Sequence, residues 1–195
     1  MIAHPLPIYV YIFTDAETAV NVASDERILR CATHYSKTER TEVFAGLSAV
    51  TVRREGEKPC FVPDIGLFFS VSHSGSTWIC AVSEQEVGID IQKETGHNRE
   101  RIAKRVFHPQ EYAYLLENEF DDFFSVWTAK ESYVKFTGQG IGKNFSTFSV
   151  VSNGHISEHV NGVPIRFMPV SDYTMCLCAA DVTRIHINYM EPDTA

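Results

Sequence analysis

Between Leu67 and Gln92 the chain runs through LFFSVSHS, TWICAV and EVGIDIQ, three short apolar runs divided only by Gly, Ser or acidic residues. Their length and their β-branched and aromatic content predict three strands. Upstream, PIYVYIF (Pro7 to Phe13) predicts another strand, which stops at Thr14, where a T-x-x-E capping box with Glu17 opens a helix. Ser24 offers a second helix start, with Arg27 and Arg30 three residues apart on one side. Val43, Leu47 and Val50 then recur at helical spacing. From Asn98 to Thr137 three helical segments are divided by Pro109 and by the acidic turn at Glu119 to Asp122. Beyond them FSTFSVVS, HISEHV and VPIRFM are joined by Asn153-Gly154 and Asn161-Gly162, the strongest short-range hairpin signal. TMCLCAADV and RIHINYM are expected to complete a meander. The order strand, helices, strands, then helices, strands repeats coarsely. The fold class expected is therefore α+β, two similarly built α/β halves forming a pseudo-dimer, with a boundary near Val87 that gives residues 1–87 and 88–195.

The balance of 17 Lys plus Arg against 25 Asp plus Glu gives a net charge of −8, which disfavours a nucleic-acid partner, since phosphate neutralisation dominates such affinity. With 44% hydrophobic and 22% charged residues over 195 positions, the chain can bury a sizeable core, and disorder is excluded as its main state. No window carries the run of about 18 apolar residues that a membrane span needs, and Pro5 and Pro7 break the apolar N-terminus. A soluble, cytoplasmic protein is expected. Five cysteines without a CxxC pair indicate neither a disulfide framework nor a structural zinc site. Cys176 and Cys178 fall on one face of a strand and read as packed thiols.

Three segments carry candidate chemistry. In VGIDIQ, Asp90 lies inside an apolar strand, where an ionised carboxylate is costly without a partner. Period two puts Asp90 and Gln92 on one face and Ile89 and Ile91 on the other. Two oxygen donors on one face suit a hard cation such as Mg²⁺; a strand Asp accepting backbone hydrogen bonds is the plainer alternative. In FFSVWTAKESYVKFTG, Glu131 interrupts an apolar stripe formed by Phe123, Phe124, Trp127 and Val134, and Lys135 follows at i+4. An ordinary helix ion pair explains that spacing, and a metal-bound carboxylate with a lysine able to touch phosphate explains the location as well. In FSVSHSG, neighbouring residues point to opposite faces, so Ser72 and His73 cannot form a nucleophile and base pair. This Gly-terminated strand end suits phosphate binding or a turn with local hydroxyl bonds.

Together these segments resemble the 4'-phosphopantetheinyl transferases of the longer surfactin-synthetase-activating (Sfp) type. The correspondence runs through GEKPCFVPDIGLFFSVSHSGSTWICAV, VGIDIQ, RIAKRVFHPQEY and VWTAKESYVKFTGQGI, almost continuously from Glu57 to Ile141. The resemblance is looser in the amino-terminal helices and extends to the carboxy-terminal strands only in texture. It implies an enzyme that moves the phosphopantetheine arm of coenzyme A onto a serine of an acyl or peptidyl carrier protein and leaves adenosine 3',5'-bisphosphate, with the active site in a cleft between the two halves. Asp90 and Glu131 resemble the ligands of the Mg²⁺ that grips the pyrophosphate, and Lys135 the cation that offsets charge on the attacked phosphate. Lys58, Ser72, His73, Arg27 and Arg30 are similar to the family's coenzyme-binding positions. Gln92 stands where many members carry a second acid, and either coordinates through its carbonyl or yields the place to water. Glu42 and Val43 depart from the family pattern on the adenine side.

The resemblance leaves Glu131 or a metal-bound water to accept the proton of the attacking serine. HNRERIAKR supplies local positive charge, through Arg99, Arg101, Lys104 and Arg105, for an acidic carrier domain. A monomer is expected, with no nucleic-acid or membrane partner. A coenzyme A binding module would keep the phosphate contacts but not need both carboxylates, and a metal-dependent phosphohydrolase would want a denser ligand cluster than the scattered histidines offer.

Overall fold

A computed structural model describes residues 5–14, 24–40, 49–54, 58–96, 98–140 and 145–190. Strand β1 (Ile8–Phe13) is followed by helix α1 (Ser24–Glu39), the short strands β2 (Thr51–Arg53) and β3 (Cys60–Val62), and the three strands β4 (Phe68–Ser74), β5 (Thr77–Ser83) and β6 (Val87–Lys93). Helices α2 (Arg99–Val106), α3 (Pro109–Glu117) and α4 (Phe123–Thr137) come next. Strands β7 (Val151–Ser152), β8 (His155–Ile156), β9 (His159–Val160), β10 (Val163–Val170), β11 (Tyr173–Ala179) and β12 (Ile185–Met190) complete a mixed α/β architecture. The strands expected before Lys93, the three helices divided at Pro109 and the acidic turn, and the helix start at Ser24 stand where the sequence puts them, whereas FSTFSVVS forms a 3-10 turn at Phe145–Thr147 and a strand only at Val151–Ser152, and HISEHV splits into two two-residue strands. The Asn-Gly turns join β7 to β8 and β9 to β10, with φ of 54° and 76° at Asn153 and Gly154 and 48° and 82° at Asn161 and Gly162, the left-handed pair that a two-residue hairpin turn requires. The capping residue Glu17 and the stripe positions Val43 and Leu47 lie outside the described residues.

Two four-stranded sheets form the scaffold, in the orders β12-β1-β5-β4 and β6-β11-β10-β9. Here one expectation is corrected. RIHINYM does not extend a meander from β11; it crosses back to lie parallel to β1, with Ile8 opposite Ile185 and Phe13 opposite Met190. β1 is thereby flanked on both sides and covered on both faces, which is why IYVYIF is apolar at every position. On one face Tyr9, Tyr11 and Phe13 meet Ile28, Cys31, Ala32 and Tyr35 of α1, which recur at i, i+3, i+4 and i+7. On the other, Ile8, Val10 and Ile12 meet Ile89 and Ile91 of β6 and Met175 and Leu177 of β11. The outer face of the second sheet is covered by the helices, with Cys176 and Cys178 buried against Phe123, Phe124, Val126 and Val134 of α4.

Two features bring chemistry-bearing residues together. Strand β6 is an edge of the second sheet, and its outward N–H groups would be orphaned there. Alternate serines of β4 take them up: Ile89 N donates to Ser70 Oγ at 3.1 Å, Ile91 N to Ser72 Oγ at 3.4 Å, and Lys93 N to Ser74 Oγ at 2.9 Å. A ladder of hydroxyls thus joins the two sheets. On the opposite side of β6, Gly88 lets α4 approach without clearance, for a Cβ at that position would lie 2.0 Å from Ser132 O and 2.4 Å from Phe136 N.

Candidate active site

Because Gly88 seats α4 directly on β6, residues on the facing side of each element converge. Asp90 and Glu131 are 2% and 4% exposed, and the negative charge of Asp90 is felt at Glu131. Oδ1 of Asp90 accepts from Ser72 Oγ at 2.6 Å and from Lys135 Nζ at 2.7 Å. Lys135 Nζ also donates to Ile89 O at 3.2 Å. The i+4 spacing suggested a Glu131–Lys135 pair, but the lysine crosses to the strand carboxylate instead. Gln92 leans over the same site, its Nε2 at 3.4 Å from Asp90 Oδ2 and its Oε1 accepting from Ser74 Oγ at 3.4 Å.

Glu131 differs from its neighbour. Its Oε2 is buried and has no hydrogen-bond partner among the described residues. Burial and then the Asp90 charge push its carboxyl up from the ordinary value of 4.5 to about 7, with Lys135 acting in the opposite direction. An unsatisfied buried carboxylate oxygen next to a second carboxylate is expensive in a merely structural role, and hard oxygen donors in that arrangement suit a divalent cation. Among the described residues no group of three or more His, Cys, Asp and Glu gathers, so the donor set here is two carboxylates with one carboxamide beside them.

The remaining predicted residues lie on α1, on β4 and just before β3. His73, next to Ser72, turns to the opposite face of β4 and is exposed. It stands in register with Trp78, and Trp78 with Phe13. Above that row the guanidinium of Arg27 lies 4.9 Å from the Phe13 ring centre and 5.8 Å from that of Trp78, and Arg30 lies 5.8 Å from Phe13. Arg27 is buried and Arg30 exposed, so the pair is not a solvated helix face. Strand β4 therefore divides its end between a carboxylate site on one side and a cluster of two arginines and a histidine on the other. Lys58 is half-buried. Its Nζ donates to Glu86, to Val87 O at 2.8 Å and to Phe136 O at 3.3 Å, which ties it to the end of α4. A largely apolar cavity of about 280 Å³ lies next to these groups, between Lys58, Pro59, Phe69, Val71, Val134 and Lys135. Glu42 and Val43 lie outside the described residues.

The sequence matches the 4'-phosphopantetheinyl transferase superfamily over residues 86–178, the stretch that contains Asp90, Glu131 and Lys135. It is 41% identical over 102 residues to the 4'-phosphopantetheinyl transferase Sfp of Bacillus subtilis (strain 168), covering 50% of this chain and 45% of that protein. Over residues 86–178 the chain is similar to this superfamily. A second 4'-phosphopantetheinyl transferase of Bacillus subtilis is 36% identical over 130 residues, 61% of this chain and 57% of the relative. The 4'-phosphopantetheinyl transferase ffp of Bacillus subtilis is 29% identical over 194 residues, 85% of this chain and 86% of the relative. The first two alignments thus span about half the length of the relatives they match.

Two features around the candidate site are not marked in the sequence. The Ser70, Ser72 and Ser74 alternation was visible in SVSHS, but a hydroxyl ladder is recognised only once β6 is known to lie alongside. Lys130, adjacent to Glu131, is 0% exposed and pairs with the equally buried Glu111 at 2.8 Å. A lysine inside an apolar helix was the available signal.

Proposed function

We propose that the protein transfers the 4'-phosphopantetheine arm of coenzyme A to a serine of an acyl, peptidyl or related carrier protein and releases adenosine 3',5'-bisphosphate. One observation carries this reading: Glu131, buried and without a hydrogen-bond partner at Oε2 among the described residues, faces Asp90 beside Lys135. Asp90 and Glu131, with Gln92 at the rim, would hold Mg²⁺, and the ion would neutralise charge on the pyrophosphate of coenzyme A. Lys135 sets a positive charge beside the same phosphates. Glu131, whose affinity for a proton is already raised, is the protein group suited to receive the proton of the attacking serine. As that serine oxygen bonds to the phosphorus nearest the pantetheine, the bond from that phosphorus to the bridging oxygen breaks and the bisphosphate leaves. Lys58 and His73, at the end of β4, contact the coenzyme, Arg27 and Arg30 lie toward its more distant phosphate, and the apolar cavity beside Lys135 accepts the pantetheine arm. In this reading residues 1–87 and 88–195 are two similarly built halves, apart from β12, which crosses back to the first sheet, with the coenzyme in the cleft between them, and the protein works as a cytoplasmic monomer.

Incubation with coenzyme A, Mg²⁺ and a carrier domain tests the assignment by intact mass. Transfer adds the arm to the carrier. Retention of intact coenzyme A alone would leave a binding module, and its hydrolysis with no gain on the carrier would leave a phosphohydrolase.

The carrier is expected to dock on α2. Arg101, Lys104 and Arg105 are exposed there, whereas Arg99 turns inward, its guanidinium 4.8 Å from the Phe124 ring and donating to Phe120 O at 3.3 Å. Three of the four basic residues of HNRERIAKR therefore remain for an acidic partner. Reversing Arg101 and Lys104 to Glu should weaken the apparent carrier affinity about tenfold or more at low salt and flatten its salt dependence, without changing coenzyme A affinity. Unchanged carrier affinity in a titration would remove α2 from the docking face.

A further inference from the structure

The three serines of β4 perform the same backbone task, but only one of them faces a carboxylate. Ser70 and Ser74 accept from Ile89 N and Lys93 N, and neither reaches an acid. Ser72 accepts from Ile91 N at 3.4 Å and donates its own proton to Asp90 Oδ1 at 2.6 Å. The proton and one lone pair of this buried hydroxyl are thus engaged within the protein. Lys135 Nζ reaches the same Oδ1 at 2.7 Å, whereas Oδ2 has only the long contact from Gln92 Nε2 at 3.4 Å.

We infer that Ser72 is a positioning residue for the metal side: with Lys135 it occupies one oxygen of Asp90, fixes the carboxylate plane, and leaves the other oxygen for the divalent cation. This deepens the proposed transferase reading and rests on it. The physical ground is that a carboxylate ligand is tuned by the donors that hold its non-ligating oxygen, and removal of such a partner costs roughly ten- to a hundredfold in metal affinity. It also assigns different tasks to adjacent residues. His73, on the other face of β4, remains available to the coenzyme, and Ser72 serves the metal side.

The test uses Mn²⁺ as the probe, titrated into the protein with coenzyme A and read by the electron paramagnetic resonance of the free ion. Coenzyme A binding is measured separately by calorimetry in EDTA. Ser72→Ala is expected to raise the Mn²⁺ dissociation constant roughly ten- to a hundredfold while leaving metal-free coenzyme A affinity within about twofold. Ser72→Thr, which keeps the hydroxyl, should restore the Mn²⁺ affinity, and Ser70→Ala, which loses only a backbone contact, should leave it unchanged. Wild-type Mn²⁺ affinity in Ser72→Ala overturns the inference, as does a loss confined to metal-free coenzyme A binding. If the alanine variant does not fold, Ser72→Cys replaces it: its thiol is a weak donor, so Mn²⁺ affinity equal to that of Ser72→Thr overturns the inference and a weaker one supports it. Wild-type protein that takes up no Mn²⁺ would overturn the transferase reading and this inference with it, whereas binding in the wild type and equally in Ser72→Ala overturns the inference alone.

Discussion

Replacing Glu131 by Gln is expected to reduce arm transfer to a carrier protein by at least about a thousandfold and, in EDTA, to raise the thermal midpoint at pH 8. The two effects have one origin. Burial, and then the charge of Asp90, hold the Glu131 carboxyl at about 7 against an ordinary 4.5, so the folded protein binds this proton more tightly than the unfolded chain does. Stability from this group is therefore fully present below the unfolded value of 4.5. It drains away as pH rises toward 7, and above that the ionised carboxylate carries a cost on the order of 3 kcal/mol. Glutamine keeps the shape without the charge, so it escapes that cost but cannot serve as an anionic metal ligand or take a proton. Melting curves at pH 4.5 and pH 8 should show the two proteins alike at the lower value and the variant higher at the upper. Equal midpoints at pH 8 would contradict the electrostatic account, and normal turnover would contradict the catalytic one.

The second large effect is expected one residue earlier. Lys130 is buried completely, and burial lowers its affinity for a proton while Glu111 acts to restore it. Its Nζ donates to Glu111 Oε1 at 2.8 Å and to Phe148 O at 2.7 Å, and it lies 4.0 Å from the Phe148 ring centre. Glu111 Oε1 also accepts from Val150 N at 2.8 Å, and its Oε2 accepts from His108 N at 2.9 Å, closing the capping box that starts α3. One ion pair thus joins α3, α4 and the segment leading into β7. Lys130→Met strands the Glu111 charge in the core, a change that costs about 3–5 kcal/mol and roughly 10 °C in thermal midpoint for a chain of this size. Chemical denaturation measures it. A loss below about 1 kcal/mol would mean that the pair is no more than a replaceable filler.

How far the fold could be read depended on the range of the signal. The helix boundaries at Ser24 and Pro109 and the turns at Asn153-Gly154 and Asn161-Gly162 are written in local backbone preferences, and each appears where its residues stand. The return of β12 to β1 is a pairing between opposite ends of the sequence, and no local pattern in RIHINYM distinguishes a parallel partner far upstream from an antiparallel one next door. The site follows the same rule. Asp90 and Glu131 were legible because a carboxylate on an apolar face is anomalous wherever it occurs. The partner of Lys135 was not, because helix spacing offers Glu131 at i+4 and says nothing about which strand lies across from the helix. Lys130 was passed over for the same reason: its acid, Glu111, lies on another helix.

The parallel seam between β1 and β12 also governs the order in which the molecule can be completed. A ribosome releases residues 8–13 long before 185–190, so the first sheet must wait, one edge bare, until that distant strand has emerged. Cutting the gene near Val87 would not yield two self-sufficient pieces, since the leading fragment would lack the outermost strand of its own sheet.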